Sequence, residues 1–110
     1  MDTKQKIEQL RLLCEAEPED FTAHFMLGRE YMNDGQFDLA AAALKHAVAI
    51  KPDYTAAYRH WGDALRLAGR SQQAIEVYRR GIKVSEETGD MQAGKEMRVF
   101  LEKLEKSAAS

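Results

Sequence analysis

The stretches HFMLGREY (24–31) and YRHWGDAL (58–65) each set a glycine directly behind a large apolar residue, inside a pattern that otherwise reads as helix. Glycine within a helix costs about 1 kcal/mol relative to alanine, so two such glycines in one context need a compensating reason. Gly28 and Gly62 are 34 residues apart. The same offset relates Gly35 to Gly69, Ala23 to Ala57, Ala40 to Ala74 and Pro18 to Pro52. It also pairs large apolar residues: Leu27 with Trp61, Tyr31 with Leu65, Leu44 with Tyr78, and Ile50 with Val84. A fixed period of this length marks a helical repeat array, in which no unit buries its apolar face alone and neighbours share one core. The glycines then fall on the buried stripe, where a missing side chain lets the partner helix come close.

Each unit reads helix, turn, helix. His24, Leu27, Gly28 and Tyr31 recur at i, i+3, i+4 and i+7, one face of a helix. NDGQFD (33–38) places Gly35 where a chain leaving a helix turns to positive φ. A second helix buries Ala40, Leu44, Ala47, Val48 and Ile50, and KPDY (51–54) ends it, because proline disfavours helical geometry at and before itself. Asp53 is the expected N-cap of the next helix.

The ends read as caps. Residues 2–16 set Ile7, Leu10, Leu13 and Cys14 on one face and run into Pro18, as the second helix of a preceding unit would. Toward the other end Glu96 stands where the period calls for glycine. The stripe Met97, Phe100, Leu101, Leu104 fits about five residues late, after an irregular EETGD (86–90). Residues 91–106 read as a closing helix with Lys95, Arg98, Glu102 and Lys106 on its solvent face. The expectation is one all-α domain over 1–110 with six helices: a half-repeat at 1–17, units at 21–54 and 55–88, and a capping helix at 90–107.

This pattern resembles the tetratricopeptide repeat, whose signature asks for Trp, Leu-Gly, Tyr, then Ala and Phe, and finally Pro. The first unit offers His24, Leu27-Gly28, Tyr31, Ala40, Leu44 and Pro52. The second offers Tyr58, Trp61-Gly62, Leu65, Ala74 and Tyr78, with Glu86 in place of proline. The resemblance implies a right-handed superhelical stack that binds other proteins without catalysis.

Composition agrees with a helical, soluble chain: only two prolines, 45% hydrophobic and 31% charged residues. One cysteine, Cys14, allows no internal disulfide and reads as a small core residue. The charged N-terminal stretch has no signal-peptide core and no apolar run is long enough to span a membrane, so the cytoplasm is the expected compartment. His24 falls at an aromatic packing position, His46 toward the exposed side, and His60 near the inner face. No metal-ligand spacing, phosphate loop or nucleophile elbow is present, so neither metal, cofactor nor enzymatic activity is expected. Residues 55–84 carry six Lys/Arg against two acidic residues, a net charge of +4. Arg79, Arg80 and Lys83 fall on the outer second helix and the whole chain carries −2, which argues against nucleic acid.

The first helix of each unit lines the concave side of such a stack. The stripe beside the buried one carries Thr22, Phe25, Arg29 and Met32, with Asn33 at its edge; the second unit repeats it as Ala56, Arg59, Asp63 and Arg66. Phe25 and Met32 either anchor a ligand or are covered by the closing helix or another chain. Arg29, Arg59 and Arg66 outnumber Asp63, so the expected occupant is an acidic segment with an apolar anchor, held by arginine forks; alternatively Arg59 and Asp63 simply pair. Some family members clamp chaperone tails with lysine and asparagine at these positions. Here Phe25 and Arg59 replace the lysine and Arg29 and Asp63 the asparagine, so chaperone-tail binding is not expected. The leading reading is a module that holds a peptide or helix of another protein in its groove, and the alternative is a structural module that self-associates.

Overall fold

The computed structural model describes residues 2–109. Over these the chain forms six helices and no strand: α1 (Thr3–Ala16), α2 (Phe21–Asn33), α3 (Phe37–Ile50), α4 (Thr55–Leu67), α5 (Ser71–Thr88) and α6 (Met91–Ala109). Each helix packs on the next in chain order, and α2 meets α4 as α4 meets α6. Short polar connections enforce this. Gly35 and Gly69 leave α2 and α4 with φ of 73° and 79°, where a side chain would be strained.

The paired glycines act as notches. A Cβ on Gly28 would stand 2.5 Å from Leu44 Cγ, and one on Gly62 would stand 2.6 Å from Tyr78 Cδ1. Leu44 and Tyr78 are fully buried, at 0% exposure, so each hairpin closes by driving a large side chain of its second helix into the gap left on its first. Close packing of this kind offsets the propensity lost at glycine. A third such contact sets Gly81 of α5 against Met97 of α6 and Tyr58 of α4.

The hairpins are also tied to the loops before them. The His24 Nε2–H donates to the Pro18 carbonyl at 2.8 Å, and the Tyr58 hydroxyl donates to the Pro52 carbonyl at 2.7 Å. The polar histidine thus performs the same task as the tyrosine 34 residues on. Its ring also stacks on exposed His46 at 4.5 Å.

Three local expectations need correction. Asp53 lies in the exposed turn, and the N-cap of α4 is Tyr54, which offers no side-chain cap; its ring instead meets Phe21 at 4.8 Å. Residues 86–88 are helical rather than irregular: with Glu86 in place of proline, α5 continues to Thr88, and Gly89 stops it at φ 83°. The register of α6 is two residues late, not five. Met91 stands 36 residues after Thr55, and Asp90 accepts from the Ala93 amide at 3.3 Å as Asp20 accepts from that of Ala23 at 3.3 Å. The α6 helix is therefore the first helix of a third unit, with Met97 at the position of Leu27 and Trp61 and Arg98 at that of the glycines.

Gly62→Ala tests the notch. Alanine is the better helix former by about 1 kcal/mol, yet the substitution is expected to destabilise the chain by about 1–3 kcal/mol through overpacking against Tyr78, read from urea unfolding. Gly28→Ala should cost less, since Leu44 can change rotamer and the Tyr78 ring is held at its hydroxyl.

Candidate functional site

The stripe that faces the inner side of the stack runs across α2, α4 and α6. On α2, Thr22, Arg29 and Asn33 are exposed, whereas Phe25 and Met32 are half-buried and packed against the core. Phe25 is enclosed by rings: Phe21 at 5.7 Å, Tyr54 at 5.3 Å and His60 at 5.5 Å. The Arg29 guanidinium lies 5.9 Å over the Phe25 ring, and the Lys51 ammonium 5.5 Å over Phe21. The two apolar residues singled out on α2 thus have covering neighbours within the chain, and the closing helix is not among those around Phe25.

On α4 the charged residues form one network. Asp63 is only 9% exposed. Its carboxylate accepts from the Tyr78 hydroxyl at 2.5 Å, with Arg66 Nη2 at 3.6 Å and Arg59 Nε at 3.8 Å. The Arg66 Nε–H donates to the same Tyr78 oxygen at 3.2 Å, and its guanidinium stacks 4.2 Å over Phe100 of α6. Arg59 reaches α6 as well, with Nη1 2.5 Å from Glu96. Burial and the Asp63 hydrogen bond push the Tyr78 phenol well above its usual range, so it stays a donor at any physiological pH.

The basic excess expected of this face is consequently absorbed inside it. Arg59 and Arg66 neutralise Asp63 and Glu96 and fasten α4 to α5 and α6. Among the described residues Arg29 has no ion-pair partner. The network also explains how successive first helices are joined: Phe25 touches His60, and at the equivalent positions one unit later Arg59 pairs with Glu96.

Because α6 is a third first helix, it adds residues to this face, among them Lys95 and Glu102, which were expected on a solvent-facing cap. Lys95, Val99 and Glu102 occupy the register of Phe25/Arg59, Arg29/Asp63 and Met32/Arg66, and all three are exposed, Val99 at 50%. The overlooked signal was Asp20-Phe-Thr-Ala23 against Asp90-Met-Gln-Ala93, an identical cap spacing that sets the α6 register.

The remaining candidate chemistry is quiet. Burial pushes the half-buried Cys14 thiol above its ordinary range, which disfavours the reactive thiolate. Among the described residues no group of three His, Cys, Asp or Glu side chains could hold a metal ion, and no helix is long and apolar enough to cross a membrane.

A stack of helical hairpins with a continuous inner face places the chain among the α-helical repeat proteins. The tetratricopeptide repeat profile matches residues 10–53 and 25–87, so the chain belongs to the tetratricopeptide repeat family. It is 33% identical to the TPR repeat-containing protein PA0015 of Pseudomonas aeruginosa over 101 residues, covering 92% of this chain and 96% of that protein. The solution structure of BPP2914 from Bordetella parapertussis has 29% identity and a TM-score of 0.79 over 94% of this chain and 90% of its own. The type III secretion translocator chaperone SycD of Yersinia enterocolitica shares the fold, with a TM-score of 0.89 at 15% identity over 98% of this chain and 75% of SycD.

Two outcomes follow for this network. Asp63→Ala leaves the Tyr78 hydroxyl without its acceptor and Arg59 and Arg66 without the carboxylate between them, and should lower stability by about 1–3 kcal/mol, measured by urea unfolding. His60 should make the fold acid-sensitive. Burial, then Arg59 and Arg29, lower its pKa below the ordinary 6.5 despite Asp63 and Glu96 nearby. The folded state therefore favours neutral imidazole, the unfolded chain binds the extra proton first, and stability falls as pH drops below about 6.5. His60→Gln should flatten that part of the stability–pH curve.

Proposed function

We propose that this chain is a non-catalytic binding module that holds an extended or helical segment of another protein along the inner face of α2, α4 and α6. The observation that carries this reading is the division of labour on that face. Arg59, Asp63 and Arg66 are locked to one another and to Tyr78, Glu96 and Phe100. Thr22, Arg29, Asn33, Lys95 and Val99 are left exposed around them. A face whose frame is already ordered loses little conformational freedom on binding, which favours affinity.

The recognising residues in this reading are Arg29 and Lys95, with Val99 as the apolar contact and Phe25 and Met32 as the floor. Arg59, Asp63 and Arg66 shape the face and do not meet the partner's charges directly. The fitting segment carries a carboxylate beside an aliphatic or aromatic side chain, set toward Arg29 and Lys95 and away from Glu102, the exposed carboxylate on the same face. Membership of a family of interaction modules supports the reading, and SycD, a type III secretion translocator chaperone, has the same fold.

The test is affinity capture from the lysate of the source cell with the natural chain and with Arg29→Glu, Val99→Asp, two exposed positions whose change should leave helical circular dichroism intact. A partner held by the natural chain and bound at least about tenfold more weakly by the variant supports the inner face as the site. Equal capture by both, or sedimentation of the isolated chain as a dimer that the variant dissociates, would overturn it, the latter in favour of self-association.

A further inference from the structure

The first helix of the stack presents an open hairpin face. Leu10 lies 34 residues before Leu44 and 68 before Tyr78, the side chains that fill the notches at Gly28 and Gly62. By this register α1 is the second helix of a hairpin, and it packs on α2 as α3 packs on α4. Among the described residues no glycine-bearing helix lies on the face that Leu10 would fill. A cleft of about 550 Å³ stands there instead, lined by Leu10, Leu13 and Met26 together with Lys6, Gln9 and Glu30. Leu13 and Met26 are 42% and 47% exposed, although both belong to the stripe that repeat packing covers elsewhere.

We propose that this cleft receives an amphipathic helix of another protein, with glycine or alanine facing Leu10, which completes the first hairpin in trans. The chain itself shows twice what fits such a face: a helix with a notch into which the leucine or tyrosine of the second helix drops. A second copy of this chain has no free notched helix to offer. The α2 and α4 helices are already covered by α3 and α5. The α6 helix is a first helix with an open hairpin face, but it carries Arg98 at the notch register, paired with Glu86 at 2.9 Å. A guanidinium there excludes the approach of Leu10. The fitting helix also sets an acidic side chain toward Lys6 and a basic one toward Glu30. This site lies apart from the inner-face residues Arg29, Lys95 and Val99, and it stands or falls independently of them.

The natural probe is the sequence of α2 itself, the helix that accepts Leu44. A fluorescent peptide of residues 19–34, held helical by a staple joining the positions of Thr22 and Arg29, is titrated with the chain and followed by anisotropy. Saturable binding is expected, weakened at least about tenfold when the peptide carries Gly28→Leu and when the chain carries Leu13→Glu, Met26→Glu. The peptide change leaves the chain untouched, so the comparison holds even if the double variant unfolds. Binding indifferent to the Gly28→Leu change, or no binding up to about 1 mM, overturns the proposal. A dimer of the isolated chain that Leu13→Glu, Met26→Glu dissociates also overturns it and assigns the cleft to a second copy.

Discussion

The close approach of two helices at a glycine is the contact on which the rest of the molecule depends. Where Gly62 lacks a side chain, the ring of Tyr78 lies flush against α4, and only from there can its hydroxyl reach the carboxylate of Asp63, the next residue along. Asp63 then gathers Arg59 and Arg66, which extend to Glu96 and Phe100 on α6. A wider separation of α4 and α5 would leave a buried carboxylate without its donor, a costly state in a low-dielectric setting. The notch that closes the core therefore also orders the inner face.

Equivalent positions in successive units do the same mechanical work with different chemistry. The link between first helices is a ring contact, Phe25 on His60, in one unit and an ion pair, Arg59 on Glu96, in the next. The tie to the preceding loop is an imidazole in one unit and a phenol in the other, each donating to a proline carbonyl. In the third unit both partners of that tie are gone together. Without a proline at Glu86, α5 runs on to Thr88, and Ser85 occupies the space that a side chain at Gly94 would need. Repeat geometry is thus conserved through packing volume and hydrogen-bond reach rather than residue identity.

The two ends of the stack are physically unlike. At the C-terminal end, the notch position holds Arg98 in an ion pair with Glu86, which suits water. At the N-terminal end Leu10, Leu13 and Met26 surround an open cleft. Exposed apolar surface of this kind carries a desolvation gain for whatever covers it, whereas the inner face offers mostly charged and polar groups around a fixed frame.

The residues alone determined the helical hairpins, their period, the buried stripe and the purpose of Gly28 and Gly62, because these follow from side-chain periodicity and backbone stereochemistry that act over a few turns. They also placed Thr22, Phe25, Arg29, Met32, Asn33, Arg59, Asp63 and Arg66 on one stripe, which needs only the helical repeat. What those side chains do was decided by tertiary structure. Whether an arginine is a free recognition group or half of an internal pair depends on which carboxylate stands opposite it, and for Arg59 that is Glu96, 37 residues away on a helix whose register rested on where α5 stops. The extension of α5 by residues 86–88 shifted α6 by two residues relative to the period, and so moved Lys95 and Glu102 from the expected outer cap to the inner face, with Val99 between them. Local rules fix the shape of each helix, but the partners of a charged side chain are chosen by how helices distant in sequence come to lie side by side.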